Sequence, residues 1–431
     1  MIRMGVVADD ITGSNDIGIM FAKAGYRTRV YNFEQPGDFT AQYKPCDEPE
    51  ICILNTNSRL DDAQTAYRKA YDATRELKEA GCTQYHNKTC SVFRGNIGTE
   101  FDAMLDALGH DFGVVVLGFP KNGRTTVDGI HYVRGVPLEQ SEFRNDPVHP
   151  MTQSNLVDIL QSQTQRRVGL LTHEVISAGS ASIREHLVEL KGNYGYVIFD
   201  VADQQSLATI AQAVADETAL FGSSALAEEL PPVWQDGLDG PQPLNLARAN
   251  GVGILCAAGS LMPQTSAQIE HMRENDAVTV ELDTIALFER NRETLIHSLV
   301  DNITQNLKTG KDVVFHTVYD ATQVKSTRTR GQQQGLSQTE TSRLVSSTVA
   351  EVVVQVLALT GQNRLLIAGG ETSDAVCKRM GINSLQIHEE IQPGLPSCIT
   401  LTDPALLLVL KSGSFGSADF FQQALDHLRS A

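Results

Sequence analysis

Arg364-Leu365-Leu366-Ile367-Ala368-Gly369-Gly370-Glu371-Thr372-Ser373 is the stretch from which the fold can be read. An apolar run ends in paired glycines, and Asp374-Ala375-Val376-Cys377 beyond them suits a helix. A short apolar run bounded by glycine predicts a buried strand. A strand that turns through glycine into a helix leaves several main-chain N–H groups facing one way, which is a means of holding phosphate. An ordinary glycine turn with a Thr or Ser cap would leave the same letters.

Outward from this stretch, the second half repeats the pattern. Strands are expected at Gly253 to Ala258, Val278 to Leu282, Val313 to His316 and Leu406 to Leu410. Helices are expected at 263–274, 284–308 and 337–360 and from Ser417, with Ser337 and Glu340 in capping-box spacing. Two further strands end in small polar turns, Ala257-Ala258-Gly259-Ser260 and Lys411-Ser412-Gly413-Ser414-Phe415-Gly416. Three such turns along one edge of a parallel sheet would line a cleft with main chain, suited to a polyphosphate and a base. Taken singly, each is also an ordinary strand-ending turn. Gly251-Val252-Gly253 precedes its strand, so a nicotinamide dinucleotide is disfavoured. Residues 320–336 are polar, with Lys325, Arg328 and Arg330, and read as a mobile loop, either a lid or a merely solvated segment.

The first half has the same rhythm. Gly5 to Ala8, Ile51 to Leu54, Val114 to Leu117, Val168 to Leu171 and Tyr196 to Phe199 read as buried strands, with helices near 62–80, 99–109, 153–163 and 203–216. Apolar strands alternating with helices predict an α/β protein. Pro, Gly and Asp gather between Glu229 and Pro243 without periodicity. The expected organisation is therefore two domains, 1–230 and 253–431, joined by a linker at 231–252. Each would hold a largely parallel sheet flanked by helices, with the active site in the interdomain cleft.

Candidate chemistry in the first half sits beyond strand ends. Asp9 and Asp10 follow the first strand and lead through Thr12-Gly13-Ser14-Asn15-Asp16 into a helix. One of the two could serve only as a cap, but three acids exceed what capping needs. Adjacent side chains on an extended chain point opposite ways, so Asp9-Asp10 fits poorly the Asp-x-Asp chemistry of a haloacid-dehalogenase-type phosphatase. Asn57-Ser58-Arg59 follows the second strand. Lys88-Thr89-Cys90-Ser91-Val92-Phe93-Arg94-Gly95-Asn96 then packs cationic and amide donors around glycine, as a carboxylate or phosphate site would. Gly118 to Thr125 nearly spells a P-loop, but it has Arg124 where Lys is needed, and Pro120 removes an N–H. That reading is rejected, although Arg124 could still reach a substrate. Asp146-Pro147 and His149-Pro150 read as a rigid turn without chemistry.

Composition bounds the partners. The chain has 431 residues, 41% apolar and 20% charged, which is ordinary for a globular protein. A net charge of -17 argues against nucleic acid. The seven cysteines show no CxxC spacing, and the histidines show no metal-ligand spacing. Met1-Ile2-Arg3-Met4 runs into a strand with no signal-peptide pattern, and no apolar run approaches membrane-spanning length. A cytoplasmic protein with reduced thiols and no membrane partner is expected.

Six motifs together resemble the four-carbon acid sugar kinase family over nearly the whole chain. They are ADD-x-TG-x-x-D (Ala8 to Asp16), K-x-x-S-x-x-RGN (Lys88 to Asn96), GRTT (Gly123 to Thr126), Gly259-Ser260, GGET (Gly369 to Thr372) and KSGSFG (Lys411 to Gly416). The resemblance implies an N-terminal domain binding the sugar acid and a C-terminal domain binding ATP. It also implies magnesium-dependent phosphorylation of the terminal hydroxyl of D-threonate, D-erythronate or 3-oxo-tetronate. ATP contacts are implied at Ser260, Gly369, Gly370, Glu371, Thr372 and Gly413, and substrate contacts at Asp9, Arg59, Lys88, Ser91, Arg94 and Asn96. The chain departs at Cys90, where the family often has Asp. Arg94 is a feature the 3-oxo-tetronate branch lacks, so the chain resembles the D-threonate or D-erythronate branch more. Physically, Asp9 or Asp10 could accept the hydroxyl proton, while Lys88 or Arg94 could grip the carboxylate. A sugar-acid sensor without catalysis is the alternative, and a homodimer is left open.

Overall fold

The computed structural model describes residues 2–43, 49–146, 148–234, 246, 251–289, 291–317 and 320–431. The chain divides into two units, Met1–Gln242 and Pro243–Ala431. The N-terminal unit contains β1 (Met4–Ala8), β2 (Thr28–Asn32), β3 (Ile51–Asn55), β4 (Gln84–Lys88), β5 (Gly113–Val116), β6 (Arg124–Val127), β7 (Ile130–Val133), β8 (Val136–Pro137), β9 (Val168–Leu171), β10 (Tyr196–Phe199) and β11 (Ala219–Gly222). Its main sheet runs β2-β3-β1-β4-β11-β5-β10-β9, and these neighbours pair in parallel. β6, β7 and β8 form a small antiparallel sheet. Helices α1 (Ile11–Ala22), α2 (Ala63–Glu79), α3 (Ile97–Leu108) and α4 (Ser180–Lys191) lie among the crossovers. The chain leaves β1 toward β2 and β3 on one side and comes back to β4 on the other, so the strand order reverses between β1 and β4. Open α/β sheets bind ligands beyond the carboxyl ends of strands at such a reversal.

The C-terminal unit repeats this logic with β12 (Leu255–Ala258), β13 (Val278–Leu282), β14 (Val313–Thr317), β15 (Arg364–Ala368), β16 (Ser384–Gln392), β17 (Leu395–Thr400) and β18 (Leu407–Lys411). The order is β13-β14-β12-β15-β18-β17-β16. The first five are parallel, and β17 runs antiparallel to both its neighbours. The order reverses between β12 and β15. Helices α5 (Pro263–Glu274), α6 (Arg292–Lys308), α7 (Ala321–Gln333), α8 (Gln338–Thr360), α9 (Gly370–Arg379) and α10 (Phe420–Ser430) accompany the strands. Ser337 and Glu340 form both halves of the expected capping box at the start of α8.

Several expectations need correction. The polar segment 320–336 is a helix, α7, capped by Asp320 through Thr322 and Gln323, and not a loop. It packs on α8 at Gly331, where a β-carbon would lie 2.1 Å from Thr341 Oγ1. The helix expected over 284–308 is two pieces, Ala286–Glu289 and α6, the second capped by Asn291. The expected linker opens with a short helix, Pro231–Trp234, and most of the remainder, 235–245 and 247–250, lies outside the described residues. By length and composition α8 could cross a membrane, contrary to the sequence expectation, but its apolar face is buried against neighbouring helices of its unit.

Candidate functional site

Register decides which side chains meet. In the N-terminal unit Ala8 pairs with Asn55 on one side and with Lys88 on the other, and Lys88 pairs with Gly222. The residues that follow β1, β3 and β4 therefore emerge at one edge. Asp9, Arg59 and Asp10 meet there. Arg59 donates from Nε to Asp9 Oδ2 at 2.8 Å, from Nη2 to Asp9 Oδ1 at 2.7 Å and from Nη1 to Asp10 Oδ2 at 2.5 Å. The two carboxylates have different duties. Asp10 caps α1, accepting from Gly13 N at 2.6 Å and Thr12 Oγ1 at 3.1 Å. Burial alone would raise its pKa, but Arg59 and Lys88 outweigh burial and hold it below the ordinary value. Burial likewise opposes the Arg59 proton, and Asp10 and Asp9 more than reverse this.

Lys88 ends β4, and it is only 3% exposed. Its ammonium lies 3.4 Å from Asp16 Oδ2, which also accepts from Ser224 Oγ at 2.7 Å. Burial raises the Asp16 pKa despite these partners. Arg94 donates to Cys90 Sγ at 3.3 Å and to Asp146 Oδ2 at 2.7 Å. Burial would push the Cys90 thiol up, but Arg94 and Arg59 prevail and hold it below its ordinary value. The chain thus places a thiol inclined to ionise where its resemblance predicts a carboxylate. Arg94 and Arg124 both stand over the ring of Phe143, at 5.2 and 5.9 Å from its centroid. Burial lowers the Arg124 pKa to about 10.

Two predicted residues act through other groups. Asn96 Nδ2 donates to the carbonyls of Ser58 and Asp61, at 3.2 and 2.9 Å, and so ties the Arg59 loop to α3. The Ser91 carbonyl accepts from His131 Nε2 at 3.0 Å. Three participants were not singled out from sequence. Asp146, read as part of an inert turn, holds Arg94, and that reading is corrected here; Pro147 lies outside the described residues. His149 Nε2 donates to the Arg59 carbonyl at 3.0 Å. Glu100, in the first turn of α3, accepts from Ser58 Oγ at 2.8 Å, and its pKa is pushed up to about 8 by burial and by Asp9. An acid in the first turn of the helix after the glycine motif was the only available signal for Glu100.

The C-terminal unit brings its three turns together by the same device. Ala258 pairs with Ala368, and Ala368 with Lys411, so Gly259, Gly369 and Ser412 start at one level. A β-carbon at Gly413 would lie 2.0 Å from Ser260 Oγ, and one at Gly259 would lie 2.0 Å from Thr372 Oγ1. Gly369 has φ of 121°, a conformation that favours glycine, and no side chain caps α9. The first-turn N–H groups of α9 thus have no intrahelical acceptor. The Glu371 side chain is engaged on α8. Its carboxylate accepts from Ser342 Oγ at 2.9 Å and Ser346 Oγ at 3.1 Å on α8, and burial raises its pKa. Lys411 is fully buried and donates to Thr265 Oγ1, Ser412 O and Gly413 O at 3.1, 2.8 and 3.1 Å. Burial pulls its pKa down to about 7. Its three hydrogens pin both carbonyls of the turn, so main chain and small side chains make the cradle.

Among the described residues no cluster of three or more His, Cys, Asp or Glu could hold a metal. Magnesium carried by a nucleotide would be bound through phosphates and water, with one or two carboxylates.

Comparison with known proteins follows the two units. Residues 4–230 match the model of a sugar-binding N-terminal domain, and residues 255–421 that of a nucleotide-binding C-terminal domain. The 3-oxo-tetronate kinase of Pseudomonas fluorescens is 32% identical over 99% of this chain and 97% of its own. That of Haemophilus influenzae is 30% identical, over 98% of each chain. Among solved structures, a Salmonella typhimurium LT2 protein superposes with a TM-score of 0.79 at 28% identity, covering 99% of this chain and 100% of its own. A Haemophilus influenzae protein gives 0.70 at 29% identity, covering 98% and 100%.

Proposed function

Since the chain belongs to the four-carbon acid sugar kinase family, pairing a sugar-binding N-terminal domain with a nucleotide-binding C-terminal domain, we propose that it transfers a phosphoryl group from ATP to the 4-hydroxyl of D-threonate or D-erythronate. The observation that carries the reading is the gathering of Arg59, Arg94, Arg124 and Lys88 around Asp9, Asp10, Asp16 and Cys90 in a chain of net charge -17. Such a cluster suits a small anionic acid with an acceptor hydroxyl. The names of its relatives favour 3-oxo-tetronate as a second reading.

In this proposal Arg94 and Arg124 grip the acid's carboxylate, with Arg59 beside them. Asp9 is the preferred base, because Asp10 is committed to capping α1, whereas Asp9 is paired with the Arg59 side chain, which a substrate carboxylate could draw away. Lys88, held by Asp16, stabilises developing negative charge. Ser260, Gly369 to Thr372 and Gly413 hold the nucleotide through N–H groups and hydroxyls. Magnesium, arriving with the nucleotide, neutralises phosphate charge. A cytoplasmic location accords with the six described cysteines, all free and buried.

The test is a panel of four-carbon sugar acids, assayed for ADP release with ATP and magnesium. Turnover of at least one is expected, and Asp9→Asn should lower kcat by about 100-fold or more, within the range for a general base, with ATP binding nearly unchanged. Full activity in Asp9→Asn would remove Asp9 from the chemistry. Release of phosphate from sugar-acid phosphates without nucleotide would favour a phosphatase instead.

A further inference from the structure

One turn into α1, past the Asp10 cap, Asn15 is completely buried, and neither the oxygen nor the nitrogen of its side-chain amide has a hydrogen-bond partner. The other polar side chains of this turn each have a partner, although one oxygen of Asp16, Oδ1, has none. Thr12 donates to Asp10, Ser14 donates to the Asp10 carbonyl, and Asp16 accepts from Ser224. Leaving a buried polar group unpaired destabilises a fold. A native fold that holds such a group calls for a partner from outside the chain, be it ordered water, an ion or a ligand.

The chemistry of the amide narrows what that is. It offers an acceptor and a donor side by side and carries no charge. A carboxylate or phosphate oxygen could accept from Nδ2 but would leave Oδ1 unpaired. Adjacent hydroxyls on neighbouring carbons satisfy both atoms, one donating to Oδ1 and the other accepting from Nδ2. We infer that Asn15 reads the C2–C3 oxygens of the sugar acid, and that it sets specificity while the arginines hold the charge. The assignment rests on the kinase reading above and adds to it the group that recognises the hydroxyls.

Two measurements test it. In the first, kcat/KM is compared for the best four-carbon acid and its two deoxy analogues, 2,4-dihydroxybutanoate and 3,4-dihydroxybutanoate. Wild type should lose about 10-fold or more on at least one analogue, as a site built to bond a hydroxyl does. Asn15→Ala should treat that analogue and the parent within about threefold, since the contact is already gone. In the second, Asn15→Leu, of similar shape, should melt at or above the wild-type temperature, because no protein partner is lost. Its KM for the acid should rise while its KM for ATP stays within about twofold, as expected for independent sites. Equal discrimination by wild type and Asn15→Ala, or a clear fall in melting temperature for Asn15→Leu, would overturn the assignment. If Asn15→Ala does not fold, Asn15→Ser is read in the same way. A wild type that neither turns over nor binds any four-carbon acid defeats the kinase reading itself, and this assignment with it.

Discussion

Glu100 and Asp10 belong to one cluster and burial pushes both upward, yet they end on opposite sides of their ordinary values. Asp10 is rescued by Arg59 and Lys88, whereas Glu100 has one hydroxyl partner and a like-charged neighbour in Asp9. The signs follow. Folded Glu100 keeps its proton up to about pH 8, while the unfolded chain loses it near 4.5. The native state therefore binds more protons between those values, and this group makes stability fall as pH rises through that window. Asp10, with a lowered value, contributes stability that is lost as pH drops below the ordinary carboxylate range. Glu100→Gln should flatten the decline in unfolding free energy between pH 5 and pH 8, by up to about 1.4 kcal/mol per pH unit. Denaturant unfolding of both proteins across that range measures it, and parallel curves would contradict it. At this scale, acids beyond strand ends were legible in sequence because a parallel sheet dictates where ligands sit. Asp146 and Glu100 were not, because their roles come from long-range pairing with Arg94 and Ser58.

Among elements, β4 shows best where pattern reading stops. Gln84, Tyr85, His86, Asn87 and Lys88 are all buried in the middle of a parallel sheet, where near-continuous apolar residues are the rule. A reader of hydrophobic runs passes over it, although local rules fail most often at functional sites. The helix α7 was missed for another reason. Its composition is polar, and it is held by the Asp320 cap and a close approach to α8 at Gly331. By contrast, β12, β15 and β18 were legible with their turns, because apolar runs ending in glycine have few other readings. Their convergence yields a prediction. In Gly413→Ala the new β-carbon must push Ser260 away, which separates two walls of the cradle. KM for ATP should rise about 10-fold, a 1.4 kcal/mol effect, with KM for the sugar acid unchanged. A nucleotide titration of the purified variant decides this, and wild-type affinity would show that the turn does not touch the nucleotide.

For the whole molecule, each unit carries its own reversal of strand order and its own set of strand-end residues. The two ligands should therefore leave separate footprints. Hydrogen exchange with ATP should slow amides at 259–260, 369–373 and 412–414, and exchange with the sugar acid those at 9–13, 57–60 and 88–96. Binding at a concentration 100 times Kd stabilises the native state by about 2.7 kcal/mol, ample for detection. Protection of the same peptides by both ligands would contradict the assignment of one ligand to each unit. The two-unit organisation and the α/β class were legible because the strand-and-helix rhythm restarts after the Pro- and Gly-rich stretch.

The Arg59 fork has a consequence for selectivity against water. Both oxygens of Asp9 accept from one guanidinium, so an alcohol that is to reach either oxygen must share it with Arg59 or displace Arg59. If Asp9 is the base, as proposed, the fork must turn to another anion first, and the carboxylate of the incoming acid would serve. On that reading the resting ion pair itself would guard the fuel from idle hydrolysis, and a neutral polyol of the same length would leave the guard in place.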